Sequence, residues 1–173
     1  MSIHHEHPFL PPESERSPVR RLRGRLASGV TLWTSTRAGR PAGLTVSSMM
    51  VADGEPGRVL ALLDPDSDLY DVLVASRAAA VSLLSYDDRA LADAFAGVAP
   101  APGGPFKLAS WTETDWGPVP AGAATWAGVR LVDDDPREVG WAVLVEAALE
   151  HVALGDEEAY PMAHRRGRYH RVG

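Results

Sequence analysis

Residues 29–76 constrain the fold more than any other stretch of the chain: GVTLWTSTRAGRPAGLTVSSMMVADGEPGRVLALLDPDSDLYDVLVAS. Residues 29–36 alternate Val30 and Leu32 with Thr31 and Trp33, the period of a half-buried strand. Arg37-Ala38-Gly39-Arg40-Pro41 punctuates it as a turn, and residues 42–50 resume as a second strand carrying Thr45, Ser47 and Ser48. A further turn, Asp53-Gly54-Glu55-Pro56-Gly57, leads into an apolar run at 58–63. That run is apolar on both faces and reads as a central strand. It ends in Asp64-Pro65-Asp66-Ser67-Asp68, where Ser67 or Asp68 can cap a helix to about Ser76 with Leu69, Val72 and Leu73 as its apolar stripe. Hydroxyls and loop amides gathered at strand ends can hold a phosphate and a polar heterocycle, and a helix N-terminus adds free N–H groups and a positive dipole end.

The rest of the chain supports a mainly β protein with short helices. Ser17 and Pro18 suit the start of a helix over 17–27, with Leu22 and Leu26 on one face. Residues 78–85 form a fourth strand, and Asp87 or Asp88 caps a helix to about Ala96 with Leu91, Ala94 and Phe95 facing inward. Residues 97–105 are a Pro/Gly loop. Long strands follow at 123–132 and 141–154, the latter with Trp141, Val143, Val145 and Ala147 on one face, and a short strand at 168–172 closes the chain. Six or seven antiparallel strands with peripheral helices predict a β-barrel; strictly alternating βα units are missing, which argues against a Rossmann fold. Residues 1–16 are polar and Pro/Glu-rich and read as a flexible arm, leaving 17–173 as one domain.

Composition removes several classes of function. Cysteine is absent, so disulfides, thiolate metal sites and cysteine nucleophiles are excluded. With 17 basic against 23 acidic residues the net charge is −6, which argues against a nucleic-acid partner. No apolar run reaches the ~18 residues of a membrane helix, and no signal peptide is visible, so a cytoplasmic protein away from the membrane is expected. There is no GxGxxG, no P-loop and no GxSxG elbow. His4, His5 and His7 lie in the arm, while His151, His164 and His170 lack ligand spacing, so no metal site is expected. Trp111, Trp116 and Trp126 read as core, and Glu146 and Glu150 as a solvated face. Arginines cluster at Arg20, Arg21, Arg23 and Arg25 and again at Arg165, Arg166, Arg168 and Arg171.

The order of these elements resembles the flavin reductase-like family, whose fold is an FMN-binding split β-barrel of Greek-key type. Gly29-Val30-Thr31-Leu32-Trp33-Thr34 resembles the family's G-V-T-x-x-T strand, and Gly43-Leu44-Thr45-Val46-Ser47-Ser48 its G-x-T-V-S/N-S run. Leu63-Asp64-Pro65-Asp66-Ser67 is similar to L-D-x-x-S, and Leu91-Ala92-Asp93-Ala94-Phe95-Ala96-Gly97 to L-A-x-x-F-A-G. The ending Arg166-Gly167-Arg168-Tyr169 is similar to R-G-R-Y. The resemblance implies that Thr45, Val46, Ser47 and Ser48 donate to the flavin ring and ribityl chain. It places Leu63, Asp64 and Ser67 around the phosphate, and Phe95 and Ala96 at the cofactor's edge. It further implies FMN, with FAD as the alternative, NAD(P)H as co-substrate, a homodimer, and a flavin-dependent oxygenase as partner. No catalytic residue is implied, because hydride passes directly to the flavin. Two departures favour an alternative, a flavin-binding module without reductase activity. Pro65 and Asp66 stand where many members carry Arg in the phosphate loop. Arg137-Glu138-Val139-Gly140-Trp141 stands where many carry a G-D-H turn.

Overall fold

The protein is described here from a computed structural model covering residues 13–132, 136–156 and 160–173. Most of the expected N-terminal arm, with His4, His5 and His7, lies outside the described residues. Among the described residues there are three α-helices and thirteen strands. They are α1 (Pro18–Arg25), β1 (Ser28–Gly29), β2 (Thr31–Arg37), β3 (Arg40–Val46), β4 (Met49–Ala52), β5 (Arg58–Leu63), α2 (Asp68–Ser76), β6 (Ala78–Leu83), α3 (Arg89–Phe95), β7 (Trp111–Thr112), β8 (Val119–Pro120), β9 (Trp126–Leu131), β10 (Arg137–Val139), β11 (Ala142–Ala153), β12 (Met162–Arg165) and β13 (Arg168–Arg171).

The main sheet is antiparallel, in the order β3-β2-β6-β9-β11-β5-β4, with β10 added along β11. It has eight strands, against the six or seven expected, because β4 and β10 are short pieces that the hydropathy pattern had merged into neighbours or missed. The expected strand at 42–50 breaks at Ser47-Ser48 into β3 and β4. That break turns a corner: the Leu62 amide donates to the Ser48 carbonyl at 3.1 Å, starting the β4–β5 pairing. The long β11 spans two neighbours by changing partner along its length, with β5 against 143–148 and β9 from Ala147 onward through a bulge near Glu150.

Helix α2 lies against β2 and β3 and plugs the concave side of the sheet. Its Leu69 and Leu73 are completely buried, among Trp33, Leu63 and Val145. Each such side chain contributes roughly 1.5–3 kcal/mol by leaving water. Strand β2 is buried on both faces, since Leu32 on the opposite side packs with Leu91, Phe95 and Met162. Strand β5 has two neighbours, as expected, yet only Val59, Ala61 and Leu63 are covered; Leu62 faces outward at 38% exposure.

Two expectations about packing are corrected. Helix α1 begins where predicted, Ser17 Oγ accepting from the Arg20 amide, but it buries nothing, and Leu22 and Leu26 are exposed. Trp141 does not join Val143, Val145 and Ala147 in the core; it is 98% exposed at the β10–β11 turn. The indole sits one residue before the strand begins, so strand alternation does not govern it. The three tryptophans taken as core divide between two clusters. Trp111 packs with Phe95 and Phe106, while Trp116 and Trp126 hold the His151 ring at 5.3 and 4.6 Å. Glu146 and Glu150 are indeed on an outer face, paired with Arg58 at 3.5 Å and Arg130 at 2.7 Å.

Because α2 is anchored by two fully buried leucines, Leu73→Ala should cost about 2–5 kcal/mol of stability. Urea denaturation would report it as a fall in midpoint with little change in slope.

Candidate functional site

The sequence-predicted residues gather where the two terminal strands of the sheet, β3 and β4, are joined through the Ser47-Ser48 corner. The corner at Ser47-Ser48 is stitched to β5 twice, by the Leu62 amide and by Ser48 Oγ, which donates to the Leu62 carbonyl at 2.6 Å. Asp64 begins immediately beyond Leu63, so the 64–67 turn sits beside that corner. On the other flank α3 packs on β3. There Thr45 Oγ1 donates to the Ala92 carbonyl at 2.7 Å, and the Phe95 ring lies against Gly43 so closely that a Cβ there would stand 2.6 Å from it. Gly43 thus lets α3 seat directly on the strand carrying Thr45.

The residues brought together differ in what they can offer. Val46, Leu63 and Phe95 are buried, so their side chains pack into the protein. Phe95 supports the wall from beneath, edge-on to Phe106 at 4.9 Å. Ala96, the C-cap of α3, is exposed. The hydroxyls, expected as donors to the ligand, have these partners in the structure. Thr45 and Ser48 already donate to carbonyls, so they present lone pairs and can accept. Among the described residues the Ser47 hydroxyl alone of this set carries no protein hydrogen bond and keeps its donor.

The 64–67 turn is built tightly. Ser67 Oγ donates to the Asp64 carbonyl at 2.7 Å and accepts from the Tyr70 amide at 3.2 Å, capping α2. Asp64 Oδ1 turns back to accept from the Asp66 amide at 2.9 Å. This directs one carboxylate onto the chain, while Asp66 and Asp68 remain exposed. The amides of Asp68 and Leu69, in the first turn of α2, are left without an intrahelical acceptor, as at any helix start. An edge of acceptors and a hydroxyl donor beside such a helix start can take a ligand with a hydrogen-bonding ring and an anionic tail.

A second polar cluster braces the α3 wall. Tyr169 on β13 lies beside Asp93 of α3, and burial together with that carboxylate pushes the phenol well above its usual value. His164 on β12 packs edge-on to Tyr169 at 5.6 Å. Burial holds its imidazole below the usual value, with Arg23 and His170 adding to the effect and Asp93 opposing it. The two arginine clusters meet here: the Arg166 amide donates to Gly24 and Arg165 Nε to the Arg25 carbonyl. The R-G-R-Y run was visible in the sequence, but its partner Asp93 is remote in the chain and nothing local signals the pairing. Among the described residues no group of three or more His, Asp or Glu side chains is placed to hold a metal ion, and no helix is long and apolar enough to cross a membrane.

Residues 23–173 match the flavin reductase like domain family. The chain belongs to that family. It is 29% identical over 161 residues to FMN reductase (NADH) RutF 2 of Methylorubrum extorquens (strain PA1), covering 90% of this chain and 88% of that protein. It is 26% identical over 156 residues to the reductase component of a 4-nitrophenol 4-monooxygenase/4-nitrocatechol 2-monooxygenase of Rhodococcus opacus, covering 90% and 80%. Among solved structures, the NADH:FAD oxidoreductase SgcE6 of Streptomyces globisporus C-1027, crystallised with NAD and FAD fragments, superposes with a TM-score of 0.79 at 23% identity, covering 95% and 96%. The styrene monooxygenase flavin reductase of Pseudomonas putida S12 superposes with a TM-score of 0.77 at 21% identity, covering 91% and 98%. The fold is therefore the split barrel of flavin reductases, as the sequence resemblance implied.

The Asp93–Tyr169–His164 brace sets a stability window. His164 has a depressed folded-state value, so its contribution is full above the unfolded value of about 6.5 and is lost as pH falls below it. Tyr169 has a raised value, so its contribution is full below about pH 10 and is lost as pH rises beyond it. Thermal melts across pH should show the alkaline fall reduced in Tyr169→Phe and the acid limb retained.

Proposed function

We propose that this chain is an NAD(P)H-dependent flavin reductase whose site is the edge running from Thr45–Ser48 to the 64–67 turn. The observation that carries this reading is the convergence, in a flavin reductase family fold, of the Ser47-Ser48 corner with the start of α2. A bound flavin supplies the redox chemistry, taking hydride from reduced nicotinamide and passing electrons onward. The chain's own residues bind and orient. Thr45 and Ser48 present acceptors to the ring and ribityl chain, Ser47 its free hydroxyl, and Val46 and Leu63 their backbones. Ser67 and the first amides of α2 receive the phosphate, and Asp64 keeps its carboxylate turned to the Asp66 amide. Phe95 and Ala96 form the wall at the cofactor's edge. No side chain need transfer a proton for the hydride step.

The working form is read as a homodimer of single domains spanning 17–173, in the cytoplasm. An outward apolar strip across β4, β5 and β10 supports the dimer: Met50, Leu62 and Val139 are 69%, 38% and 37% exposed. Exposed apolar surface of this kind marks interaction sites. The relative from Rhodococcus is a reductase component, which supports a flavin-dependent oxygenase as the consumer of reduced flavin here. One observation favours a second reading, a flavin-binding module without reductase activity: an exposed Trp141 occupies the turn where many family members carry His.

Ser67→Asp preserves a capping side chain but sets a carboxylate against the phosphate. FMN affinity should fall by at least ~1 kcal/mol, read by titration calorimetry; unchanged affinity would remove the phosphate from this turn. Flavin-loaded protein should oxidise NADH or NADPH above background. Turnover of neither, with flavin bound, would leave the binding-module reading standing. Light scattering should give about twice 18.5 kDa, and Leu62→Glu should shift it toward the monomer.

A further inference from the structure

On the main sheet Arg58 and Arg130 each face a carboxylate, Glu146 and Glu150. Arginines near the end of the chain meet a different environment. Residues 160–173 hold four arginines and no acidic residue, and residues 16–30 hold five arginines and none. There Arg171, the last residue of β13, carries its guanidinium carbon 4.3 Å from the centre of the Tyr160 ring and 5.2 Å from that of Tyr86. Arg89, the first residue of α3, lies over the same Tyr86 ring at 3.8 Å. Two guanidinium groups thus share one aromatic ring. Among the described residues neither is paired with a carboxylate. Of the acidic residues beside Tyr86 in the chain, Asp88 spends Oδ2 on the Ser85 amide and hydroxyl, at 2.8 Å each, and Asp87 is exposed.

Like charges gathered on one ring repel each other. The negative faces of the tyrosine rings offset part of that repulsion, and an anion between the cations reverses it. The frame that gathers them is tied through the backbone. The Tyr86 amide donates to the Tyr160 carbonyl at 3.0 Å, the Val172 amide donates to the Pro161 carbonyl at 3.0 Å, and Arg171 stands opposite Met162 in the β12–β13 ladder. Arg89 Nη1 donates to the Tyr86 carbonyl, which fixes its fork further. The rings hold the guanidinium planes and leave most of their N–H donors unspent. We propose that Arg89 and Arg171, mounted on Tyr86 and Tyr160, form an anion site for a phosphate dianion, either free phosphate or the terminal phosphate of a nucleotide. A guanidinium fork matches two phosphate oxygens, and a dianion balances both cations. The site is separate from the edge at 45–48 and 64–67 and stands independently of the flavin reading. A bound anion would tie the end of the terminal strand to the start of α3, the helix whose Ala92 carbonyl accepts from Thr45.

The test is titration of inorganic phosphate and of AMP into the full-length protein at constant ionic strength, followed by phosphorus NMR line broadening and by thermal melts. Wild-type protein should bind phosphate saturably, and its melting temperature should rise with phosphate beyond any rise given by chloride. Arg171→Gln and Arg89→Gln should each weaken phosphate roughly ten- to 150-fold, the loss of a charge-assisted contact. Arg171→Lys, which keeps the charge but not the fork, should also weaken it. Arg40→Gln removes the same charge from an exposed position on β3 and should leave phosphate affinity within about twofold. FMN affinity should be unchanged in both glutamine variants. Arg171 is exposed and Arg89 half-buried, so these changes open no core, and circular dichroism would check the fold. Competition by AMP would extend the site to nucleotide phosphates; phosphate binding without that competition would confine it to the free ion. Equal phosphate affinity in wild type and the Arg89→Gln/Arg171→Gln double variant would reduce the stacks to a clamp on the terminal strand and overturn the site. A parallel loss of FMN in these variants would put the flavin phosphate here and overturn a separate site, with flavin binding itself intact. Phosphate binding by a wild type that takes no flavin would leave this site standing and remove the flavin reading alone.

Discussion

Everything in this structure depends on β2 being buried on both faces. A strand in a curled sheet ordinarily covers one side and wets the other. Here Trp33 points into the barrel against α2, and Leu32 points outward into a second cluster under α3. One strand therefore fixes an inner helix and an outer helix relative to each other. Because β3 is hydrogen-bonded along the whole of β2, the end of β3 is fixed between them as well. The candidate site is the gap that results, with the start of α2 on one side and the end of α3 on the other.

The polar chemistry of the site follows from that clamp. Thr45 donates to α3, Ser48 to β5 and Ser67 to its own turn, so three of the four hydroxyls at this edge have spent their protons on holding the frame. The frame is rigid because its polar groups are satisfied internally, and the remaining lone pairs have fixed directions. This is a binding edge set in advance rather than a reacting one, which suits a family whose cofactor carries the redox step. The Asp93–Tyr169 contact extends the same logic to the C-terminus, tying the terminal hairpin and the arginine-rich α1 region to the back of the α3 wall.

The sequence alone determined the antiparallel, mainly β class, the capped starts of α1 and α2, and the grouping of Thr45, Ser47, Ser48 and Ser67 as the polar set. These rest on local physics: period-two hydropathy, a Ser before a helical run, Gly and Pro at turns. Burial was legible wherever alternation held, as at Val143, Val145 and Ala147. It failed where a residue lay just outside a strand, as at Trp141, and where a helix face met nothing, as at Leu22 and Leu26. Only the tertiary structure decided which hydroxyls still have protons to give, since that depends on carbonyls at Leu62 and Ala92 brought near by sheet curvature. It alone paired Asp93 with Tyr169 and broke the second strand at Ser47-Ser48. Each of those outcomes depends on a register between strands remote in sequence, and no local pattern encodes the register.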